Sequence, residues 1–320
     1  MSFFILEVPE KLKYYQIVVC IWQKVCSQKG INMETFKLSN GMEIPAIGFG
    51  CFNAKGGESY DFIASAIDSG YTLFDTASIY GTEKDLGRAI RDKGADRNKL
   101  IIQSKLWLDE MGYDNAKRAL ERSLTRLQTD YLDVYLIHWP KQRSDVSESE
   151  WKSLQKETYK ALEEMVDEGT VKAIGLSNFL PHHLDNIFGF CNVGPVIDQI
   201  EYHIGYTQER ARKYAAKKGL LVQAWSPLGR ETVFKNEILR EIASKYEVTA
   251  AQLALRFNYQ SGVMSLPKAS SPERQIQNLS IWDFEIEPGD FEFLACLPNT
   301  SWGGEHPDIA IPTAVSTFEI

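Results

Sequence analysis

No stretch of the 320 residues approaches the roughly 20 consecutive apolar residues that a membrane-spanning helix needs. Cysteine is sparse: Cys20, Cys26, Cys51, Cys191 and Cys296 are odd in number and scattered. No C-x-x-C spacing offers a zinc site and nothing resembles a disulfide framework, so a reducing, cytoplasmic setting is expected. There is no excess of positive charge either. A net charge of −8 speaks against general nucleic-acid binding, and an anionic cofactor would need a local cluster of Lys and Arg. The third glycine of a G-x-G-x-x-G turn is missing from Gly48-Phe49-Gly50-Cys51-Phe52-Asn53, which weakens a doubly wound dinucleotide fold. Glu201 and His203 lack a third partner at metal-binding spacing, and His182 and His183 read as surface residues after Pro181. No metal is expected.

What is present is 44% apolar residues, ample for a large core. Residues 1–32 do not resemble the rest of the chain. Tyr14 to Cys26 is apolar in the middle but interrupted by Gln23 and Lys24, with no A-x-A-like cleavage site after it. It makes a poor signal peptide, and reads as a short helix, a tail or an over-extended reading frame of no assigned role. Met33 is a natural start, with an Asn40-Gly41 hairpin turn soon after.

From residue 33 to 320, β and α patterns alternate. Strands are read at Ile44–Gly48, Tyr71–Asp75, Ile101–Lys105, Tyr131–His138, Val171–Asn178, Val196–Glu201, Leu220–Trp225 and Val263–Pro267. Helices are read at Glu58–Asp68, Lys84–Arg91, Asp114–Leu127 (Asp114 as N-cap), Glu150–Asp167, from Pro181, Gln208–Lys218 and Ser271–Leu279. Eight such units, on the order of 30 residues each, predict a single-domain (β/α)₈ TIM barrel.

In a barrel the active site sits at the C-terminal ends of the strands. Three successive runs end in chemistry: Asp75 with Tyr80 in the loop after it, Lys105, and His138. A phenol, with an ordinary pKa near 10, is a poor acid at neutral pH. A neighbouring ammonium favours phenolate, so Lys105 is expected to lower the Tyr80 pKa while Asp75 keeps Lys105 charged. His138 can hydrogen-bond a substrate oxygen. The set suits protonation of a carbonyl oxygen as hydride arrives at carbon, with Tyr80 as general acid.

Residues 35–307 contain Y-T-L-F-D-T-A-S-I-Y-G-T-E, S-K-L-W, Y-L-D-V-Y-L-I-H-W-P, G-L-S-N-F, Q-I-E-Y-H, A-W-S-P-L-G and P-K-A-S-S-P-E-R, in that order. With these blocks the chain resembles the aldo-keto reductases of the prokaryotic-type diketogluconate reductase and prostaglandin F synthase branch. The resemblance implies a tetrad of Asp75, Tyr80, Lys105 and His138, and NADPH extended along the barrel mouth. It implies Ser177, Asn178 and Gln199 on the nicotinamide carboxamide, and Trp225 stacked on the ring. It also implies Ser226 and Leu228 near the pyrophosphate, Lys268 and Arg274 on the 2′-phosphate, and Asn278 on adenine. Two positions depart from the pattern: Ala269 where relatives often carry Ser, and Gln277 where many carry Glu.

Phe52, Trp107, Trp139 and His138 are expected to line an apolar substrate pocket. The short tail from Ser301 to Pro307 implies an open pocket for small aldehydes, α-dicarbonyls and sugar-derived carbonyls. The sequence therefore predicts an NADPH-dependent reductase of aldehydes and ketones, monomeric, with no nucleic-acid or membrane partner. The alternative is a non-catalytic NADP(H)-binding regulatory or structural barrel. A hydrolase using Asp75 and Glu201 is a further alternative, which leaves Tyr80, Lys105 and the Lys268/Arg274 pair unused.

Overall fold

A hairpin at the start of the domain closes one end of a barrel. The structure, a computed structural model, describes residues 33–53, 59–299, 302–309 and 311–312. The chain divides after Glu34, and Thr35–Ile320 forms one unit; the N-terminal extension read from sequence lies outside the described residues. Strands β1 (Thr35–Lys37) and β2 (Glu43–Pro45) pair antiparallel, Phe36 opposite Ile44. The Asn-Gly turn forms as its chemistry requires. Gly41 takes φ +89°, and the Asn40 side chain accepts the Met42 N–H at 3.1 Å. Phe36, Leu38, Met42 and Ile44 then pack on Leu73, Val134, Leu136 and Ile197, near the N-terminal ends of the barrel strands.

Eight parallel strands form the barrel: β3 (Phe49–Gly50), β4 (Leu73–Asp75), β5 (Ile101–Leu106), β6 (Val134–Ile137), β7 (Ile174–Ser177), β8 (Ile197–Glu201), β9 (Leu221–Trp225) and β10 (Val263–Ser265). Each pairs with the next in sequence. The sheet closes on itself through a parallel bridge between Ile47 and Ser265. Gly48 N–H donates to Ser265 O at 2.9 Å and Gly50 N–H to Pro267 O at 3.1 Å. Gly50 permits this approach, because a Cβ there would lie 2.9 Å from the Leu266 carbonyl oxygen. The central strands are buried on both faces, as parallel strands covered by helices must be.

The helices are α1 (Tyr60–Asp68), α2 (Glu83–Asp92), α3 (Tyr113–Leu127), α4 (Glu148–Asp167), α5 (Pro181–Phe188), α6 (Glu209–Lys217), α7 (Thr232–Lys235), α8 (Glu237–Lys245), α9 (Ala250–Gln260), α10 (Pro272–Leu279) and α11 (Pro288–Ala295). The barrel expected from sequence is therefore the fold observed. Three readings change. The run Ile44–Gly48 is not one strand: Glu43–Pro45 belongs to the hairpin, and the barrel strand is Phe49–Gly50. Pro45, with no N–H to give, ends the hairpin ladder. Asp114 is not the N-cap of α3. Gly112, at φ +103°, is, and Asp114 lies in the first turn, where a carboxylate favours the helix dipole. Helices α7, α8, α9 and α11 have no counterpart in the sequence reading.

Candidate active site

The ends of β4, β5 and β6 bring Asp75, Lys105 and His138 together, with Tyr80 following on a short 3₁₀ turn, Ser78–Tyr80. Asp75, Lys105 and His138 are buried and Tyr80 is half-buried. The Lys105 ammonium donates to Asp75 Oδ2 at 2.7 Å and to the Thr76 carbonyl at 2.9 Å. It lies 3.4 Å from the Tyr80 hydroxyl, which is also 3.4 Å from His138 Nε2. All four residues read from sequence converge.

Their protonation states differ from the sequence expectation at one point. Burial pushes the Tyr80 phenol well above its usual value, and the nearby Asp75 and Cys51 push the same way. The expected lowering by Lys105 does not prevail, because desolvation of a phenolate and the Asp75 charge outweigh one ammonium. The phenol keeps its proton at neutral pH. Burial lowers the Lys105 ammonium while Asp75 opposes the shift. Burial and Lys105 hold His138 well below the usual histidine value, so it is neutral. Its Nδ1 is buried without a partner among the described residues. An orphaned acceptor costs less than an orphaned N–H, so the proton belongs on Nε2, facing Tyr80.

Beneath this group lies a layer of which the sequence reading named only Gln199, and for a different role. Gln103 on β5 donates to Asp75 Oδ1 at 2.6 Å, as does Gln199 on β8 at 3.0 Å. Gln223 on β9 links the two, accepting from Gln103 at 2.9 Å and from Gln199 at 3.1 Å. The signal was available: polar Gln103 and Gln223 interrupt the apolar runs I-I-Q-S and L-L-V-Q-A-W.

The residues assigned by resemblance to a cofactor follow one another along the ends of β7 to β10. Asn178 adopts the left-handed region at φ +63°, a strain that asparagine tolerates. Its side chain donates to the His138 carbonyl at 3.0 Å and accepts the Trp225 indole N–H at 2.8 Å. Ser177 donates to the Gln199 carbonyl at 2.9 Å. Ser226 (φ +48°) and Leu228 are half-buried in the loop after β9. Lys268 is exposed after β10, its ammonium 4.8 Å from the Phe62 ring centre. Arg274 is exposed in the first turns of α10. Asn278 is buried one turn further along α10. Ala269 is buried as well.

On the opposite side of the mouth, Phe52 lies 4.9 Å from the Tyr80 ring and Trp107 4.9 Å from His138, centre to centre. Trp139 is buried in an apolar cluster with Trp107 and Leu108, against which Ile79 and Ile311 pack. The tail bearing Ile311 is tethered where sequence gave no hint. Gly303 N–H donates to Glu201 Oε2 at 3.2 Å. Arg230 grips Glu305 with two bonds, 2.6 and 2.7 Å, and its guanidinium lies 5.6 Å from the Trp225 ring centre. Asp308 pairs with Lys141.

His182 and His183 meet this tail too. His182 is exposed but His183 is fully buried, contrary to the surface reading. Asp308 Oδ1 lies 3.3 Å from His182 Nε2 and 3.2 Å from His183 Nε2. The three have metal-binding proximity, but the chemistry is wrong. His183 Nδ1 accepts the Leu180 N–H at 3.2 Å, which leaves Nε2 carrying the proton, and Lys141 already holds the carboxylate. Burial holds His183 down at about 3, from 6.5. The unfolded chain therefore binds more protons between those values, and stability present above about pH 6.5 is lost as pH falls toward 3. His138 acts in the same direction. Thermal melts from neutral to about pH 4 should show a falling Tm, at most about 1.4 kcal/mol per pH unit for each histidine. His183→Gln should flatten part of that slope.

A carboxylate, an ammonium, a phenol and an imidazole gathered at the strand ends of one parallel barrel form a site equipped for proton transfer. The chain belongs to the aldo/keto reductase family, whose profile matches residues 46–295. It is 39% identical over 276 residues to the glyoxal reductase of Bacillus subtilis, covering 86% of this chain and 96% of that one. It is 34% identical over 279 residues to the methylglyoxal reductase DkgA of Escherichia coli O157:H7, covering 87% and 98%. A solved silkworm aldo-keto reductase complexed with NADPH superposes with TM-score 0.79 at 30% identity, covering 90% of this chain and 98% of that one.

Proposed function

We propose that this protein reduces small aldehydes and ketones, α-dicarbonyls foremost, to alcohols with NADPH, and that Tyr80 donates the proton. The observation that carries the reading is the line Asp75–Lys105–Tyr80–His138, buried except at the phenol, which faces the mouth side. A protonated phenol is the state a donor needs, and its high affinity for the proton in the resting site is consistent with the burial around it. The carbonyl oxygen is taken to sit where both the phenol and His138 Nε2–H reach it. As negative charge grows on that oxygen and then on the phenol, Lys105 lies close enough to stabilise it, and Asp75 keeps Lys105 charged. A neutral His138 orients the carbonyl without competing as an acid.

The residues present fit the nicotinamide cofactor that the family implies. Trp225 presents a half-exposed ring whose N–H is fixed by Asn178, while Ser177 and Gln199 stand on the two preceding strands. Lys268 and Arg274 are two exposed cations in the short stretch from the end of β10 into α10, in a chain of net charge −8, and we assign them to an anion site suited to a phosphate. The cofactor, when bound, supplies the hydride. Phe52, Trp107 and Trp139 are assigned to the substrate pocket. The glyoxal and methylglyoxal reductases among the relatives support α-dicarbonyl substrates. Among the described residues Cys51, Cys191 and Cys296 are unpaired thiols, which fits the reducing cytosol we assign; we also assign a monomer. We assign residues 1–32 to an extension and 33–320 to the barrel domain.

The test is oxidation of NADPH with methylglyoxal and phenylglyoxal, against NADH. Arg274→Ala should weaken NADPH binding about 10- to 100-fold, since a charge-assisted contact is lost, and leave NADH binding nearly unchanged. Tight NADPH binding with no turnover of any carbonyl would move the reading to a non-catalytic binding barrel.

A further inference from the structure

The Asp75 carboxylate reaches Lys105 through one oxygen; the other is held by amides. Gln103 and Gln223 face each other in the barrel interior and exchange two hydrogen bonds. Gln103 Nε2 donates to Gln223 Oε1 at 2.9 Å, and Gln223 Nε2 donates back to Gln103 Oε1 at 3.1 Å. Both residues are fully buried. The pair spans β5 and β9, which are not neighbours in the sheet, so it crosses the barrel and does not follow a strand ladder. Its orientation is forced. An ionised carboxylate accepts only, so Gln103 must turn Nε2 to Asp75 Oδ1, 2.6 Å away. Its Oε1 then faces Gln223, whose amide must point Nε2 toward Gln103 and toward the Met264 sulfur at 3.1 Å. Gln199 completes the set with its own bond to Asp75 Oδ1.

A buried carboxylate stays charged only where donors replace the water it lost. We propose that Gln103 and Gln223 are positioning residues for the reductase reaction: a reciprocal amide pair that keeps Asp75 ionised and its second oxygen aimed at Lys105. The inference rests on the function proposed above, and its reach is indirect. Gln103 acts through Asp75, and Gln223 through Gln103. Without the pair, the proton of Lys105 can pass to Asp75. The neutral amine that results cannot stabilise charge on the Tyr80 oxygen. The charged group that Gln103 touches is Asp75 on β4; beyond it stands Lys105, which in turn feels Cys51, Glu83 on α2, His138 and the Tyr80 hydroxyl. From β8, β9 and β10 the neighbours Gln199, Gln223 and Met264 are uncharged.

The test uses the full-length protein, with wild type and Tyr80→Phe setting the upper and lower limits of turnover. Gln103→Leu and Gln223→Leu should each lower kcat about 10- to 100-fold, with the NADPH dissociation constant and the carbonyl KM little changed. Gln103→Glu is nearly isosteric and gives a pH signature. At acid pH the introduced carboxyl, still protonated, can donate to Asp75 as the amide does, and kcat should approach wild type. As pH rises it ionises beside Asp75, the two carboxylates repel, and kcat should fall where wild type does not. Wild-type kcat in both leucine variants, or a Gln103→Glu profile parallel to wild type, overturns the proposal. Failure of the underlying reading is seen separately, as no wild-type turnover or full activity in Tyr80→Phe. In that case the melting temperature still decides: Gln103→Glu should lose stability as pH rises, and a pH-independent difference from wild type sinks the pair.

Discussion

Tyr80→Phe is expected to lower kcat for methylglyoxal by about 10³-fold, within the usual range for losing a general acid, while NADPH binding is retained. The substitution removes one oxygen and leaves the ring, so its packing on Phe52 and its edge contact with His138 survive. Lys105 loses only a neighbour 3.4 Å away and keeps its bonds to Asp75 and Thr76. The loss should therefore appear in kcat, with KM and cofactor affinity within a few-fold of wild type. Stopped-flow measurement of the first turnover checks that the lost step is chemistry and not product release. A Phe variant that turns over within tenfold of wild type would mean that His138 or water supplies the proton.

Lys105→Met should be the most damaging change to the fold as well as to the reaction. It leaves the Asp75 carboxylate buried with two amide donors and no counter-charge, and breaking a buried pair from one side typically costs about 3–5 kcal/mol. Asp75→Asn leaves an ammonium in the same predicament, with the Thr76 carbonyl and the phenol beside it. The double variant Asp75→Asn/Lys105→Met removes both charges and should recover much of the stability lost in either single change, yet none of the activity. Chemical denaturation of the four proteins gives the coupling energy. A double variant less stable than both singles would show that the pair is not the source of the loss.

Much of this site could be read from sequence because barrels announce their chemistry in a regular place. An apolar run that stops at Asp75, Lys105 or His138 locates a strand end, and strand ends of one barrel face converge without further information. Two explicit helix caps went unread in the sequence. Ser147 and Glu150 form a capping box that sets α4 two residues earlier than the apolar pattern alone. Thr249 and Gln252 form another at α9, a T-x-x-Q signal weaker to the eye than the strands on either side of it. Gly112 hid the start of α3, because glycine at an N-cap is less conspicuous than the aspartate beside it. The tail contacts were not legible at all. Asp308 lies 167 residues from Lys141, and no local pattern relates residues so far apart. The phenol's shift was misjudged for a different reason: a set of neighbouring charges contains no measure of burial, and burial proved the larger influence.

The hairpin of β1 and β2 has a consequence for proton traffic. Its side chains pack as an apolar floor at the end of the barrel opposite the site, on the far side of the buried glutamines from Asp75 and Lys105. If Tyr80 is the donor, the proton it surrenders in each cycle is expected to be replaced through the mouth that admits the substrate, across from that apolar floor. Recharging the acid and emptying the pocket then share one doorway, and a bulky alcohol that leaves slowly delays both.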